Sequence, residues 1–206
     1  ALTGASCSQD ETPAGDGRTG VMAMTISTSR AEDNGEYDPL QYQKVYIYNS
    51  EGGLLRKYAA KDDIPERLEL LSGTYRVAVE AGEQVPADFS KRFYKGEETF
   101  TVKPGETTHA EVVCKIANTV VEVKFDASIV ENLDPGYFVW IAGTDKFDEA
   151  EAESGAVPAL KFTDEGTGYY TLPAGTTSLA WMFRGTHTSG KQVEMENTLT
   201  EVKAGG

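Results

Sequence analysis

The chain has 206 residues, enough for one large domain or two small ones, each able to bury a modest core. Its 33 acidic against 19 basic residues give a net charge of −14, which repels phosphate backbones and anionic lipid headgroups and argues against nucleic acid as a partner. No apolar run approaches the roughly 20 residues that cross a bilayer as a helix.

Residues 1–20 are rich in Gly, Ser, Thr, Asp and Pro and lack periodicity, the composition of a flexible leader. Within it, Leu2-Thr3-Gly4-Ala5-Ser6-Cys7 reads as the tail of a bacterial lipoprotein signal. Small residues let a signal peptidase close over the chain, and the freed Cys7 is then acylated, each buried methylene contributing about 0.8 kcal/mol of membrane affinity. The alternative is that Cys7 is an ordinary thiol. On the first reading the protein hangs from a membrane by its lipid anchor, with the body outside the bilayer.

From Val21 onward, short apolar alternations of period two recur between turn residues, at 21–28, 44–48, 54–58, 74–81, 99–102 and 108–116. In the run from Tyr75 to Glu80, Tyr75, Val77 and Val79 share one face while Arg76 and Glu80 point the other way, the pattern of a half-buried antiparallel strand. Between these runs, residues 61–68 could hold a helical turn, with Asp63 as cap and Pro65 in the first turn. The alternation resumes at 119–125, 137–142, 169–172, 178–183 and 192–202, with a short helix or acidic loop at 145–153. Leu179, Trp181 and Phe183 would face one core, and Trp140 is placed in a core as well.

Many short strands with regular turns predict an all-β chain of two tandem antiparallel β-sandwiches, immunoglobulin- or transthyretin-like, over 21–117 and 118–206. A weak internal repeat supports the pair. Leu71-Ser72-Gly73-Thr74 is echoed by Leu172-Pro173-Ala174-Gly175-Thr176, and Thr99-Phe100-Thr101-Val102-Lys103-Pro104-Gly105 by Thr198-Leu199-Thr200-Glu201-Val202-Lys203-Ala204-Gly205. After Gly105 the first sandwich continues into a strong strand, whereas only Gly206 follows Gly205, so the second is expected to lack its last strand. Truncation is one explanation; the other is that a partner supplies the strand, as in strand addition to an open sheet edge.

Chemistry-bearing patterns are weak. Gly15-Asp16-Gly17-Arg18-Thr19-Gly20 has the letters of a dinucleotide fingerprint but precedes a strand instead of following one and opening a helix. His109 and His187 lie at no ligand spacing from a second His or Cys. The acidic run through Asp145, Asp148, Glu149, Glu151 and Glu153 lacks the turn glycine and alternation of a calcium loop. No carboxylate pair or nucleophile elbow stands out, so no catalytic, cofactor or metal residue is assigned. With Cys7 lipidated, Cys114 has no partner among the two cysteines and reads as a small buried hydrophobe. Aromatic residues remain as candidate ligand contacts, because sugar rings stack on exposed Tyr: Tyr46 and Tyr48 share one strand face, and Phe93 and Tyr94 lie in a charged loop. Packing is the competing role for these loop aromatics.

The run from Tyr46 to Tyr58, Ile64-Pro65-Glu66-Arg67-Leu68, the run from Leu70 to Glu83, Phe93-Tyr94-Lys95-Gly96 and Cys114-Lys115-Ile116-Ala117-Asn118-Thr119 together resemble the Bacteroidetes lipoproteins grouped as domain of unknown function 4493. The resemblance covers nearly the whole chain after the leader, and its motifs are turns and strand starts; it carries over no active site. It implies an outer-membrane lipoprotein exposed at the cell surface, an adhesin or fimbria-like component that meets envelope or fimbrial subunits. A glycan-binding module of an uptake system is the competing role. Members usually continue past the final Lys-Ala-Gly turn into a last strand, and this chain does not.

Overall fold

The computed structural model describes residues 18–29 and 37–204. Cys7 and most of the leader lie outside them. The chain is all-β, with two short α-helices among the described residues. Its strands are β1 (Thr19–Thr28), β2 (Gln43–Asn49), β3 (Leu54–Tyr58), β4 (Arg67–Leu71), β5 (Gly73–Ala81), β6 (Ala87–Asp88), β7 (Tyr94–Val102), β8 (Thr107–Ile116), β9 (Thr119–Val123), β10 (Phe138–Ala142), β11 (Ala159–Phe162), β12 (Gly166–Tyr170), β13 (Leu179–Thr186) and β14 (Gln192–Leu199). Helix α1 (Ala127–Asn132) and helix α2 (Glu149–Ser154) flank β10 in sequence.

Two compact units form, each from separated stretches of chain. Among the described residues, the first comprises 18–27, Lys44–Val79 and Gly96–Val113; the second comprises 28–29, 37–43, Glu80–Lys95 and 114–204. Residues 28–43 and 80–95, which the sequence pattern assigns to the first sandwich, therefore cluster with the second. Hydrogen bonds to residues beyond 117 explain the capture of the second stretch. β6 pairs with β12, the Thr171 backbone N–H donates to the Pro86 carbonyl, and the Phe93 N–H donates to Asn118 Oδ1.

The first unit is built on a seven-stranded sheet of order β3-β2-β5-β7-β8-β1-β4. β1 and β4 pair antiparallel from Thr19 opposite Leu71 to Ala23 opposite Arg67, and β2 and β3 pair antiparallel with an irregularity between Ile47 and Tyr48. The period-two pattern dictates what is buried. Val45, Ile47, Tyr75, Val77, Val79, Phe100, Val102, Ala110 and Val112 all lie inside, and the Tyr75 and Phe100 rings stack with centroids 5.7 Å apart.

The second unit holds a four-stranded sheet of order β11-β10-β13-β14 and a three-stranded sheet of order β6-β12-β9. Val121 and Tyr170 from the smaller sheet pack with Ile141, Leu160, Phe162 and Leu179 from the larger, so the two sheets form a sandwich. Successive residues of a strand face opposite ways, and here both faces of the larger sheet are apolar. Ala142, Ala180 and Met182 on its other face pack with Phe147 and with Ala152 of α2. Trp181 borders the first cluster and Trp140 the second. Both pack against a core as expected and are partly buried, and Trp140 Nε1 is buried without a hydrogen-bond partner.

Local signals account for the helices. Asp148 caps α2 by accepting from the Glu151 N–H at 3.1 Å, which agrees with the short helix expected in the acidic run. The helical turn expected at 61–68 shrinks to a 3-10 turn at Lys61–Asp63, since Arg67–Leu71 is drawn into β4 beside β1. Asp63 therefore ends that turn and caps nothing.

Cys114 is fully buried, and burial pushes its thiol up to about 11 from 9.0. Raised in the folded state, the group contributes stability that is fully present below pH 9 and lost as pH rises from there through about 11. At pH 8 we expect a thiol reagent to leave Cys114 unlabelled until denaturant unfolds the chain; peptide mapping of the native, reagent-treated protein checks this. Labelling of Cys114 at the rate of an exposed thiol would mean the second-unit end of β8 opens readily.

Candidate strand-accepting site

The four aromatic candidates separate by burial. Phe93 and Tyr94 are 3% and 1% exposed, so neither can offer a ring to a ligand: the Ala117 N–H donates to the Phe93 carbonyl, and Tyr94 is drawn into β7 opposite Ile116. They are packing residues. Tyr46 and Tyr48 are half-buried, yet Lys57 Nζ sits 5.7 Å from the Tyr46 ring centroid and the Arg76 guanidinium 4.3 Å from that of Tyr48. Each ring already holds a cation against one face. Arg76 is in turn held by Glu97 at 3.0 Å.

Among the described residues, no group of three or more His, Cys, Asp and Glu is placed to hold a metal ion. His187 is committed to its own turn, where Nδ1 lies 2.8 Å from Ser189 Oγ and accepts from the Ser189 N–H at 3.0 Å. The acidic run is likewise engaged: Asp148 caps α2, and Glu149 meets Arg184 at 2.6 Å.

The feature that stands out is topological. In both units the first strand pairs antiparallel with the fourth, β1 with β4 and β9 with β12, and the second pairs antiparallel with the third, β2 with β3 and β10 with β11. Next in order come β5 and β7 in one unit, β13 and β14 in the other. In the first unit β8 lies between β7 and β1 and makes one continuous sheet. In the second, β14 and β9 each end their own sheet, and no strand among the described residues lies between them.

Burial agrees with the topology. On β7, the inward Phe100 and Val102 are 6% and 1% exposed. On β14, Met195 and Leu199 pair with Phe183 and Leu179 and so share the inward face, yet both are 55% exposed. Beyond β14, Val202 is only partly buried against the inter-sheet cluster, and Thr119 Oγ1 donates to the Lys203 carbonyl at 3.4 Å, which brings that segment beside β9. Two sheet-ending strands thus border exposed apolar residues, the arrangement into which an extended strand can dock. Sequence reasoning reached this place through the Val-Lys-x-Gly echo, but did not find β4, β6, β11 or α1, which completes the comparison only once their pairing is seen.

The family model for domain of unknown function DUF4493 matches residues 19–206. No curated protein matches the chain. Among solved structures, a candidate cell adhesion protein from Bacteroides eggerthii is similar over 94% of this chain and 84% of its own, with a TM-score of 0.52 at 8% identity, a likeness of fold. A candidate adhesin from Bacteroides ovatus aligns over 89% of this chain and 76% of its own, with a TM-score of 0.45 at 11% identity.

Proposed function

This chain belongs to the DUF4493 family, and we propose that it works without catalysis, as a cell-surface adhesin or fimbria-like component whose contacts with other proteins run through the open strand position of its second unit. The observation that supports this reading is that, among the described residues, no strand lies between β14 and β9, where Met195 and Leu199 are exposed and the first unit has β8. The fold shared with a candidate cell adhesion protein supports it. In the same reading Cys7 bears lipid and holds the protein at the outer membrane, facing outward; no helix of the described residues is long and apolar enough to cross a membrane.

Immunogold electron microscopy on intact producing cells, with antibody against the second unit, tests the reading. We expect surface label for the native protein and its loss after Cys7→Ser. Where label follows filaments, Met195→Arg combined with Leu199→Arg should disperse it, since two charges would then face the apolar strip. Absence of label on intact cells, or filaments unchanged in the double variant, would overturn the proposal.

A further inference from the structure

We propose that the outward face of the first unit's sheet around Tyr46 and Tyr48 binds an acidic polysaccharide. Lys44, Lys57 and Arg76 meet its carboxylate or sulfate groups, and the two tyrosine rings pack against its sugar rings. The site lies within the first unit, so it goes beyond the strand-accepting reading and does not depend on it.

Strand alternation builds the patch. On β2, Gln43, Val45 and Ile47 are buried, which turns Lys44, Tyr46 and Tyr48 to the opposite face. Two residues along a strand span about 7 Å, and that is the spacing of the two half-buried tyrosines at their Cα atoms. β3 places Lys57 opposite Tyr46, with Nζ 5.7 Å from the ring centroid, and β5 places the Arg76 guanidinium 4.3 Å from the centroid of Tyr48. A long cationic side chain held over a ring has already given up rotamer freedom, so less is lost when an anion arrives.

Charge sets this face apart from the rest of the molecule. The chain carries −14, yet here three cations, Lys44, Lys57 and Arg76, stand against one carboxylate, Glu97, a net +2 (3 − 1). Lys95 and Glu80, on β7 and β5, form an ion pair of their own at 3.6 Å and leave that balance unchanged. Glu51 in the β2–β3 turn and Asp62 and Asp63 after β3 flank the patch, but among the described residues none of them pairs with Lys44 or Lys57.

The same features select a polymer of sugars. One exposed charge pair holds a small anion weakly in water, whereas a chain that repeats its charge meets several cations at once. The rings add flat apolar surface against which the C–H faces of a sugar pack. At 0.15 M salt the Debye length is about 8 Å, so this patch and not the charge of the distant surface governs the contact.

Four polymers offered to the full chain at 0.15 M salt test the inference: polygalacturonate, dextran sulfate, uncharged dextran and polyglutamate. We expect the acidic polysaccharides to bind, the tighter of the two naming the anion as carboxylate or sulfate, and dextran and polyglutamate to bind at least tenfold more weakly. Lys44→Gln with Lys57→Gln should weaken binding about tenfold while leaving the unfolding midpoint in place, so that lost binding is not lost folding. Tyr46→Leu with Tyr48→Leu should weaken it about as much. Dextran binding as tightly as the acidic polysaccharides would remove the role of charge, and polyglutamate doing so would put an acidic protein on this face. Either result overturns the inference, as does binding that is absent for both acidic polysaccharides or unchanged in the lysine variant. None of these outcomes bears on the strand position of the second unit.

Discussion

Asn118→Ala is expected to lower the unfolding free energy by about 2–4 kcal/mol. Asn118 is 1% exposed, and its amide bonds in two directions: Oδ1 accepts from the Phe93 N–H at 2.5 Å, and Nδ2 donates to Thr171 Oγ1 at 3.2 Å. Thr171 Oγ1 in turn donates to the Val85 carbonyl at 2.8 Å. Alanine leaves the Phe93 N–H buried without an acceptor and removes one end of that relay, and an unsatisfied buried donor costs about 1–3 kcal/mol on its own. Asn118→Asp keeps the acceptor but replaces the donating amide with a charge, so it should rescue little. Urea unfolding followed by tryptophan fluorescence measures the loss. A change below about 0.5 kcal/mol would show that the stretch 85–93 is held by its backbone pairing alone.

Gly82→Ala should cost more than about 3 kcal/mol, for two separable reasons. Gly82 has φ +94, where an L side chain is strained, and a Cβ built there would lie 2.0 Å from the Arg92 carbonyl oxygen, a backbone atom that cannot turn aside. Gly105 separates the two terms. Its φ is +71, with nothing within 4 Å of the Cβ position, so Gly105→Ala carries the conformational penalty without the collision and should cost only about 1 kcal/mol. The same unfolding experiment on both variants measures the difference. Equal losses would mean that the chain around Arg92 yields to the methyl group.

The strands that were legible in the sequence are those whose alternation is strict and whose apolar members are large. β5, with Tyr75, Val77, Val79 and Ala81 inward, is the clearest example. What escaped are short elements defined by their neighbours. β6 has two residues and exists only because β12 lies beside it, and β4, with Arg67-Leu68-Glu69-Leu70-Leu71, sits so close after a proline that a helical turn reads equally well. α1 did leave a signal: Asp126 accepts from the Ser128 N–H at 2.9 Å, a capping pattern that directly follows a strand. Phe93 and Tyr94 are buried for a tertiary reason. Nothing local tells Phe93 that its backbone will be clasped by Asn118 and Ala117, or Tyr48 that Arg76 will lie across its ring.

Glu194 and Glu196 on β14 carry one more consequence, concerning aggregation. An uncovered strand edge is a template for pairing with its own kind, and chains that leave one open risk growing into insoluble ribbons. Were two copies to join β14 to β14, antiparallel or parallel, the acidic side chains of one edge would crowd those of the other, on bodies that each carry a net charge of −14. Self-pairing along β14 is thereby penalised. Like charge thus guards this edge against its own kind.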